Sequence, residues 1–349
     1  MSWGSRFGRI EVMEQGYQSK VNGKQMRPFV RVAKVRNRGI SLGLQRVLVD
    51  FGADTSFAKA VEKVKEHYRV KVNESLVREA TLKHGEQMQM GIEVEARMPV
   101  SGVKQLMSEM DGMFVPIVET GVEGDRRKVR KCEYQEAKMC LAGQVGAVSR
   151  RYRATMGVAA EAGKMWKVCV VEAGGGKETK LHCVGDGATW IEKQMRKQFF
   201  GQAEYLIDYY HLSEYLAKAG EAIEGKGGRK WLREQQARMK RNEFKKVLEE
   251  IKEKREGAEV EDINAPIRGC YRYIESRKES LNYEGAIARG LPIGSGEIES
   301  GNKSVLQARL KIAGAWWKVE NAEKMIGVRT TRASGDWDSY WKQQRTANA

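Results

Sequence analysis

Residues 181–190 read Leu-His-Cys-Val-Gly-Asp-Gly-Ala-Thr-Trp, and this stretch decides the fold of the chain. Leu181–Val184 is a short apolar run typical of a buried strand, and the glycines on either side of Asp186 indicate a turn directly after it. Comparable apolar runs occur at Gln105–Met110 and Ala203–Ile207. Short strands alternating with helical segments predict an α/β fold, with sites at the carboxyl ends of the strands.

The same pattern extends from Met98 to Asp208. Glu133–Ala142 has the character of a further strand, and Ala159–Val171 has the character of a helix. From His211 to about Glu284 the sequence is almost wholly helical in character. After it, a turn-rich loop over 289–296 leads into a predicted helix from Glu297 to Ile312.

Acidic residues follow the predicted strands. Asp111, Asp186 and Asp208 each stand where an apolar run ends, and Glu299 follows the glycine loop. A single aspartate at a strand end is usually a cap or turn residue, but four acids placed this way in a basic chain favour a shared site. Carboxylates hold Mg²⁺ or Mn²⁺ through hard oxygen ligands. Two such ions can promote displacement at a phosphodiester.

The charge of the chain favours a polyanionic partner. There are 62 Lys+Arg against 46 Asp+Glu, a formal net charge of +16. Eight basic residues and no acid lie between Gln15 and Val49. Nucleic acid is therefore the leading candidate partner, although a basic surface can also serve solubility.

A pair of predicted helices follows the basic segment. Phe57–Tyr68 has apolar residues at helical spacing, and a short link leads to Asn73, a predicted N-cap. The second helix is predicted to stop at Gly85. Two helices joined by a short turn beside a basic segment are typical of a helix-turn-helix DNA-binding unit, and equally of an ordinary helical hairpin.

Other classes of protein are disfavoured. No apolar run approaches the roughly 20 residues of a membrane span, and the N-terminus lacks the apolar core of a signal peptide. The five cysteines form no C-x-x-C pair, which favours buried, reduced thiols in a cytoplasmic protein. With DNA as the expected partner, the predicted location is the bacterial cytoplasm, in association with the nucleoid.

Three motifs in order resemble one family. They are Gly185-Asp-Gly-Ala-Thr-Trp190, Asp208-Tyr-Tyr-His211 and Gly294-Ser-Gly-Glu-Ile-Glu299-Ser. Together they resemble DDE transposases of bacterial insertion sequences of the ISKra type, within the Mutator-like group. The resemblance implies an RNase H-like catalytic core that is interrupted by an all-helical insertion before the last acid.

The resemblance assigns roles to the acids. It implies that Asp111, Asp186 and Glu299 are the catalytic and metal-binding residues, and that Asp208 and His211 are an auxiliary pair. Two Mg²⁺ or Mn²⁺ ions, element-end and target DNA, and a homodimer or larger assembly are implied as well. Two alternatives stay open: Glu297 in place of Glu299, and Asp208 in place of Asp186.

The predicted organisation has five segments. They are a basic N-terminal segment (1–50), a helix-turn-helix-like unit (51–97), the first part of the core (98–212), the helical insertion (213–288), and the last part of the core with a basic, aromatic C-terminus (289–349). Predicted DNA contacts are Lys20, Lys24, Arg27, Arg31, Lys34, Arg36, Arg38, Arg309 and Lys311. Two other functions remain open: a catalytically silent DNA-binding protein derived from a transposase, and a nuclease of the same fold.

Overall fold

The computed structural model describes residues 1–33, 38–120, 130–225 and 228–347. The chain separates into two compact units. The first comprises Met1–Glu93, Phe114–Glu136 and Asn302–Ala349, and the second comprises Val94–Met113 and Ala137–Gly301. The predicted mixed α/β class is confirmed.

The first unit begins with two small hairpins and continues in helices. Its early elements are β1 (Ser2–Ser5), β2 (Gly8–Glu11), β3 (Tyr17–Gln18), β4 (Gln25–Met26), α1 (Pro28–Ala33), α2 (Leu42–Asp54), α3 (Phe57–Tyr68) and α4 (Glu74–Met90). Asn73 caps α4 as predicted, because its side chain accepts a hydrogen bond of 2.8 Å from the amide of Leu76.

The prediction that this helix stops at Gly85 is wrong, because α4 continues to Met90. Gly85 is instead a packing residue. A Cβ atom there would lie 2.0 Å from the backbone oxygen of Lys324, on a later helix of the same unit. Glycine in mid-helix lets the two backbones approach closely, and only tertiary contact reveals that use.

The second unit is built on a five-stranded sheet. Its strands are β5 (Gln105–Thr120), β6 (Arg130–Gly143), β7 (Arg151–Thr155), β8 (Lys180–Gly185) and β9 (Ala203–Ile207), in the order β7-β6-β5-β8-β9. β5, β8 and β9 are parallel, and β7 is antiparallel to β6. β5 as far as Met113 and β6 from Ala137 belong to this unit. Leu181–Gly185 is buried throughout, as expected for a central parallel strand.

Helices cover the sheet and then continue the chain. They are α5 (Ala159–Glu172), α6 (Thr189–Gln198), α7 (Tyr209–Glu224), α8 (Gly228–Lys240), α9 (Phe244–Lys252), α10 (Pro266–Ser276) and α11 (Tyr283–Ala288), with short 3₁₀ turns at Asp262–Asn264 and Lys278–Ser280. The helical character predicted for 211–284 is confirmed. In the core, the indole of Trp166 donates 2.6 Å to the hydroxyl of Ser108, which anchors α5 to β5.

The last helical stretch is less regular than predicted. In place of one helix over Glu297–Ile312, the chain forms α12 (Gly296–Gly301), a π-helical segment (Asn302–Gln307) and α13 (Ala308–Leu310). π-Helical turns of this kind often occur at functional sites. The helices α14 (Val319–Ala333) and α15 (Trp337–Ala347) complete the first unit.

The described residues also bear on membrane-spanning helices and on the cysteines. Within the described ranges, no helix combines the length and apolar character that a bilayer crossing requires. All five cysteines are unpaired; four are buried, whereas Cys132 is exposed, contrary to the prediction that the thiols are buried.

Candidate active site at the ends of the parallel strands

Strand register relates the positions of Asp111 and Asp186. In the parallel pairing of β5 with β8, Glu109 lies opposite Val184. Asp111 and Asp186 each follow these last paired residues by two positions, so the register continued along both strands leads to this pair of acids. Two of the three predicted catalytic acids thus stand just past the last paired positions of neighbouring parallel strands.

The prediction that a strand ends at Asp111 is nevertheless wrong, since β5 continues to Thr120. Beyond the residues that pair with β8, β5 pairs with a different segment of the chain, within the first unit. The amide of Val118 donates 2.8 Å to the oxygen of Trp317, whose amide donates 3.1 Å to Pro116. This pairing joins residues about 200 positions apart, so the local pattern gave no signal of it.

Asp186 occupies the turn between β8 and α6. Its Oδ1 accepts a hydrogen bond of 2.8 Å from the amide of Ala188, which sets the direction of the carboxylate. The side chain is half-buried, and among the described residues no donor contacts Oδ2. Asp186 therefore keeps one oxygen available at the end of the strand.

Asp208 has a different environment, although it follows β9 in the same way. One oxygen accepts from the amides of Tyr210 (2.6 Å) and His211 (3.0 Å), so Asp208 is the N-cap of α7. The other oxygen accepts from Ser295, both from its amide at 2.7 Å and from its hydroxyl. The side chain is buried, and its acceptor positions are all used by protein donors. This arrangement favours Asp186 over Asp208 as a ligand for a metal ion.

The glycine loop over 291–296 is fastened to the strand ends at further points. His182 on β8 donates 2.7 Å from Nε2 to the oxygen of Pro292, and the amide of Tyr209 donates 2.8 Å to Ile293. Gly294 lies against the ring of Tyr210, where a Cβ atom would come within 2.6 Å of the ring. The loop therefore has a fixed course, and the first glycine of the motif is required by the contact with Tyr210.

Glu109, on β5, binds the start of α12. Its Oε2 accepts 2.7 Å from the amide of Ile298, the residue before Glu299. Burial, together with the nearby charges of Glu297 and Asp208, raises the pKa of Glu109 to about 8. Among the described residues, no donor reaches its Oε1. Sequence reasoning missed Glu109, although its place two residues before Asp111 puts both on one face of β5.

The two glutamates of α12 differ in their contacts. Glu297 forms a bidentate ion pair with Arg150, with Nε–Oε2 at 2.5 Å and Nη2–Oε1 at 2.8 Å. This pairing raises the pKa of Arg150. Glu299 is exposed, and in the described part of the chain no partner holds its carboxylate. Glu297 is thus committed to a structural pair, while Glu299 is available.

His211 lies one turn into α7 and contacts aromatic rings. Its ring centroid is 5.6 Å from that of Tyr215 and 5.9 Å from that of Tyr273 on α10, both edge-on. Its Nδ1 lies 3.9 Å from Glu214. The predicted auxiliary histidine therefore packs at the junction of α7 and α10.

The carboxylates suit a hard divalent ion in chemistry, and only in part in arrangement. Asp111 and Asp186 follow the last paired residues of two neighbouring parallel strands, and the buried Glu109 has an oxygen with no donor. Yet within the described residues no three acidic, histidine or cysteine side chains already form a metal-binding group. A complete site would need Glu299 as well as the two aspartates.

The predicted DNA contacts lie in the first unit. Lys20, Lys24, Arg27, Arg38 and Lys311 are exposed. Lys34, Arg36 and the side chain of Arg31 lie outside the described residues.

Arg309, by contrast, is only 2 % exposed. Its guanidinium lies 4.8 Å from the ring centroids of both Phe57 and Trp317, and Nε donates 2.9 Å to the oxygen of Gly52. Burial lowers its pKa to about 10. These contacts indicate a structural role, which contradicts the surface contact predicted for this residue.

Comparison with known proteins bears on the family of the chain. No curated protein is significantly similar to the chain. The profile of an uncharacterised protein family, UPF0236, matches residues 5–345, which is nearly the whole sequence. The chain therefore belongs to the UPF0236 family.

Proposed function

We propose that this protein is a DDE transposase that cuts and joins DNA with the help of divalent metal ions. The observation that carries the proposal is the strand register, which places Asp111 and Asp186 each two positions past the last paired residues of β5 and β8, with the helix of Glu299 hydrogen-bonded to β5. Rigid elements that hold acids together are what a metal-dependent phosphodiester site requires.

The architecture gives further support. The sheet order β7-β6-β5-β8-β9, followed by helices α7 to α11 before the last acid, is compatible with an RNase H-like core and a helical insertion. The resemblance of the three motifs to ISKra-type transposases agrees with each acid's position. The unused oxygen of Asp186 and the exposed Glu299 fit the roles assigned to them.

The residues divide the work. Asp111, Asp186 and Glu299 would hold two Mg²⁺ or Mn²⁺ ions, which supply charge neutralisation at the attacking and leaving oxygens. Asp208 and Glu109 hold the loop and helix that carry Glu299. In the first step water displaces the 3′ oxygen of the element end from phosphorus. In the second, the freed 3′-hydroxyl displaces a 3′ oxygen of target DNA at the same centre.

The proposed partner is double-stranded DNA, bound chiefly through its phosphates. Exposed Lys20, Lys24 and Arg27 lie in and directly after the β3–β4 hairpin, within the segment that is basic throughout. The helix pair α3–α4 is the proposed helix-turn-helix-like unit. Because the exposed positions of α4 include both Arg78 and Glu79, we assign most of the affinity to the basic segment.

The test is cleavage and joining by the purified protein. Labelled duplexes from both ends of the DNA segment that encodes it are incubated with Mg²⁺ or Mn²⁺ and a supercoiled target plasmid. Asp111→Asn, Asp186→Asn and Glu299→Gln should each abolish cleavage and joining while DNA binding persists. Glu178→Gln is the matched control, because Glu178 is exposed and precedes β8 at the opposite end of that strand.

The same assay separates the other two functions. A nuclease would cut these duplexes without joining them to the plasmid. A silent DNA-binding protein would bind them and do neither with either metal. Normal joining by Asp186→Asn would show that the assignment of the site is wrong.

A further inference from the structure

The turn that carries Asp186 is held from outside the sheet by the helical insertion. The hydroxyl of Tyr273 on α10 donates 2.7 Å to the backbone oxygen of Asp186. Arg277 directly follows α10 and donates to the oxygen of Gly187 from Nε at 3.1 Å and from Nη2 at 2.8 Å. Two consecutive carbonyls are therefore fixed by side chains four residues apart, which face the same way on a helix.

Tyr273 is itself immobilised for this role. Its ring stacks on Tyr215 with centroids 4.1 Å apart at 16°, and the guanidinium of Arg277 lies 4.2 Å from its centroid. The edge of His211 packs against the same ring. Tyr273 is 5 % exposed, so its hydroxyl has little access to water as an alternative partner.

Gly187 completes the fit. Its φ is +87°, in the region where residues with a side chain are strained. A Cβ atom there would lie 2.5 Å from Nε of Arg277 and 3.1 Å from the hydroxyl of Tyr273. The turn, the tyrosine and the arginine are thus mutually adapted, and the glycine provides the space that both donors occupy.

We propose that Tyr273 and Arg277 are positioning residues that set the direction of the Asp186 carboxylate. Fixing the carbonyls of Asp186 and Gly187 fixes the peptide planes of the turn, and the Ala188 amide in turn holds Oδ1 of Asp186. The free oxygen then points in one direction. The helical insertion accordingly helps to shape the catalytic centre. The inference rests on the proposed function only in naming the metal as what Asp186 serves.

The test uses Tyr273→Phe, which keeps the ring and removes the hydroxyl, and Arg277→Lys, which keeps the charge and removes the fork. Tyr271→Phe is the control, because Tyr271 lies on the same helix and contacts Arg255 instead. Two quantities are measured on the full chain: hydrogen exchange of the Ala188 amide, and Mn²⁺ affinity by electron paramagnetic resonance.

We expect faster exchange at Ala188 in both test variants and Mn²⁺ binding weakened about tenfold, as is usual when groups that orient a ligand are removed. Tyr271→Phe should match wild type in both. Unchanged exchange and unchanged affinity in Tyr273→Phe would refute the positioning role and leave the transposase proposal intact. Faster exchange in a protein whose wild type binds no Mn²⁺ would support positioning and count against the metal site.

Discussion

Replacing Asp208 by asparagine tests whether this acid fixes the glycine loop or binds metal. The carboxylate accepts four hydrogen bonds, two from the start of α7 and two from Ser295. An asparagine side chain has one acceptor oxygen in place of two. Its NH₂ group would stand against two N–H or O–H donors, and both of those hydrogen bonds would be lost. Losing two bonds to a charged acceptor, at about 1.5–3 kcal/mol each, should cost about 3–6 kcal/mol.

Scanning calorimetry measures this loss. At roughly 2–4 °C per kcal/mol for a domain of this size, the unfolding temperature should fall by about 10 °C. Ser295→Ala keeps the bond from the Ser295 amide and loses only the one from its hydroxyl, so it should cost about 1.5–3 kcal/mol. In the double variant the costs should not add, because both changes remove the same bond. Asp262→Asn, on an exposed acid in the same unit, should unfold close to wild type.

A different result would refute the reasoning. If Asp208→Asn unfolded at the wild-type temperature and still lost cleavage, the carboxylate would not be a structural clamp. Asp208 would then be assigned as a metal ligand in place of Asp186. If the hydrogen bonds fix the loop, Asp208→Asn should lower the unfolding temperature and Ser295→Ala should lower it by a smaller amount.

Three further predictions concern the first unit. Gly85→Ala should destabilise the first unit by about 3 kcal/mol in chemical denaturation, because the new Cβ atom would lie 2.0 Å from the backbone oxygen of Lys324, which cannot move aside. Gly91→Ala is the control and should cost far less, because a Cβ atom there makes ordinary contacts. Burial lowers the pKa of His84 to about 4, so the folded state binds this proton only at a lower pH than the unfolded state does. The free energy of unfolding should therefore fall by about 3 kcal/mol as the pH drops from 6.5 to 4. His84→Gln should lose that part of the pH dependence. Arg309→Ala should lower the unfolding temperature, whereas Lys311→Ala should leave it unchanged and reduce the salt dependence of DNA binding by about one unit of slope.

The sequence predicted the elements with strong local patterns. β9 was predicted with the bounds that the structure has, and α5 and the helical stretch after Asp208 were also correct. In these segments periodicity and flanking turns decide the conformation. The predictions that failed depended on partners elsewhere in the chain. The continuation of β5 past Asp111 depends on Trp317, and the use of Gly85 depends on α14.

The candidate site was predictable to a similar degree. Acids at strand ends can be found by their neighbours in sequence, as Asp186 was. Tyr273 and Arg277 could not be, because they lie 87 and 90 residues from the carbonyls they bind, inside a helix whose sequence has no unusual feature. Glu109 gave one signal, its alternation with Asp111 along β5, but nothing local indicated that its partner would be the amide of Ile298.

Counting hydrogen-bond donors distinguishes two acids with similar sequence contexts. Asp186 and Asp208 both follow a parallel strand and both precede a helix, so their sequence contexts are nearly equivalent. Asp208 spends its oxygens on four protein donors and is buried, whereas Asp186 receives one amide and is held through its backbone carbonyl instead. Fixing a residue through its main chain leaves its side chain free to bind. For this reason we expect Asp186, which is held through its backbone, rather than Asp208 to be the acid that binds metal at the proposed site.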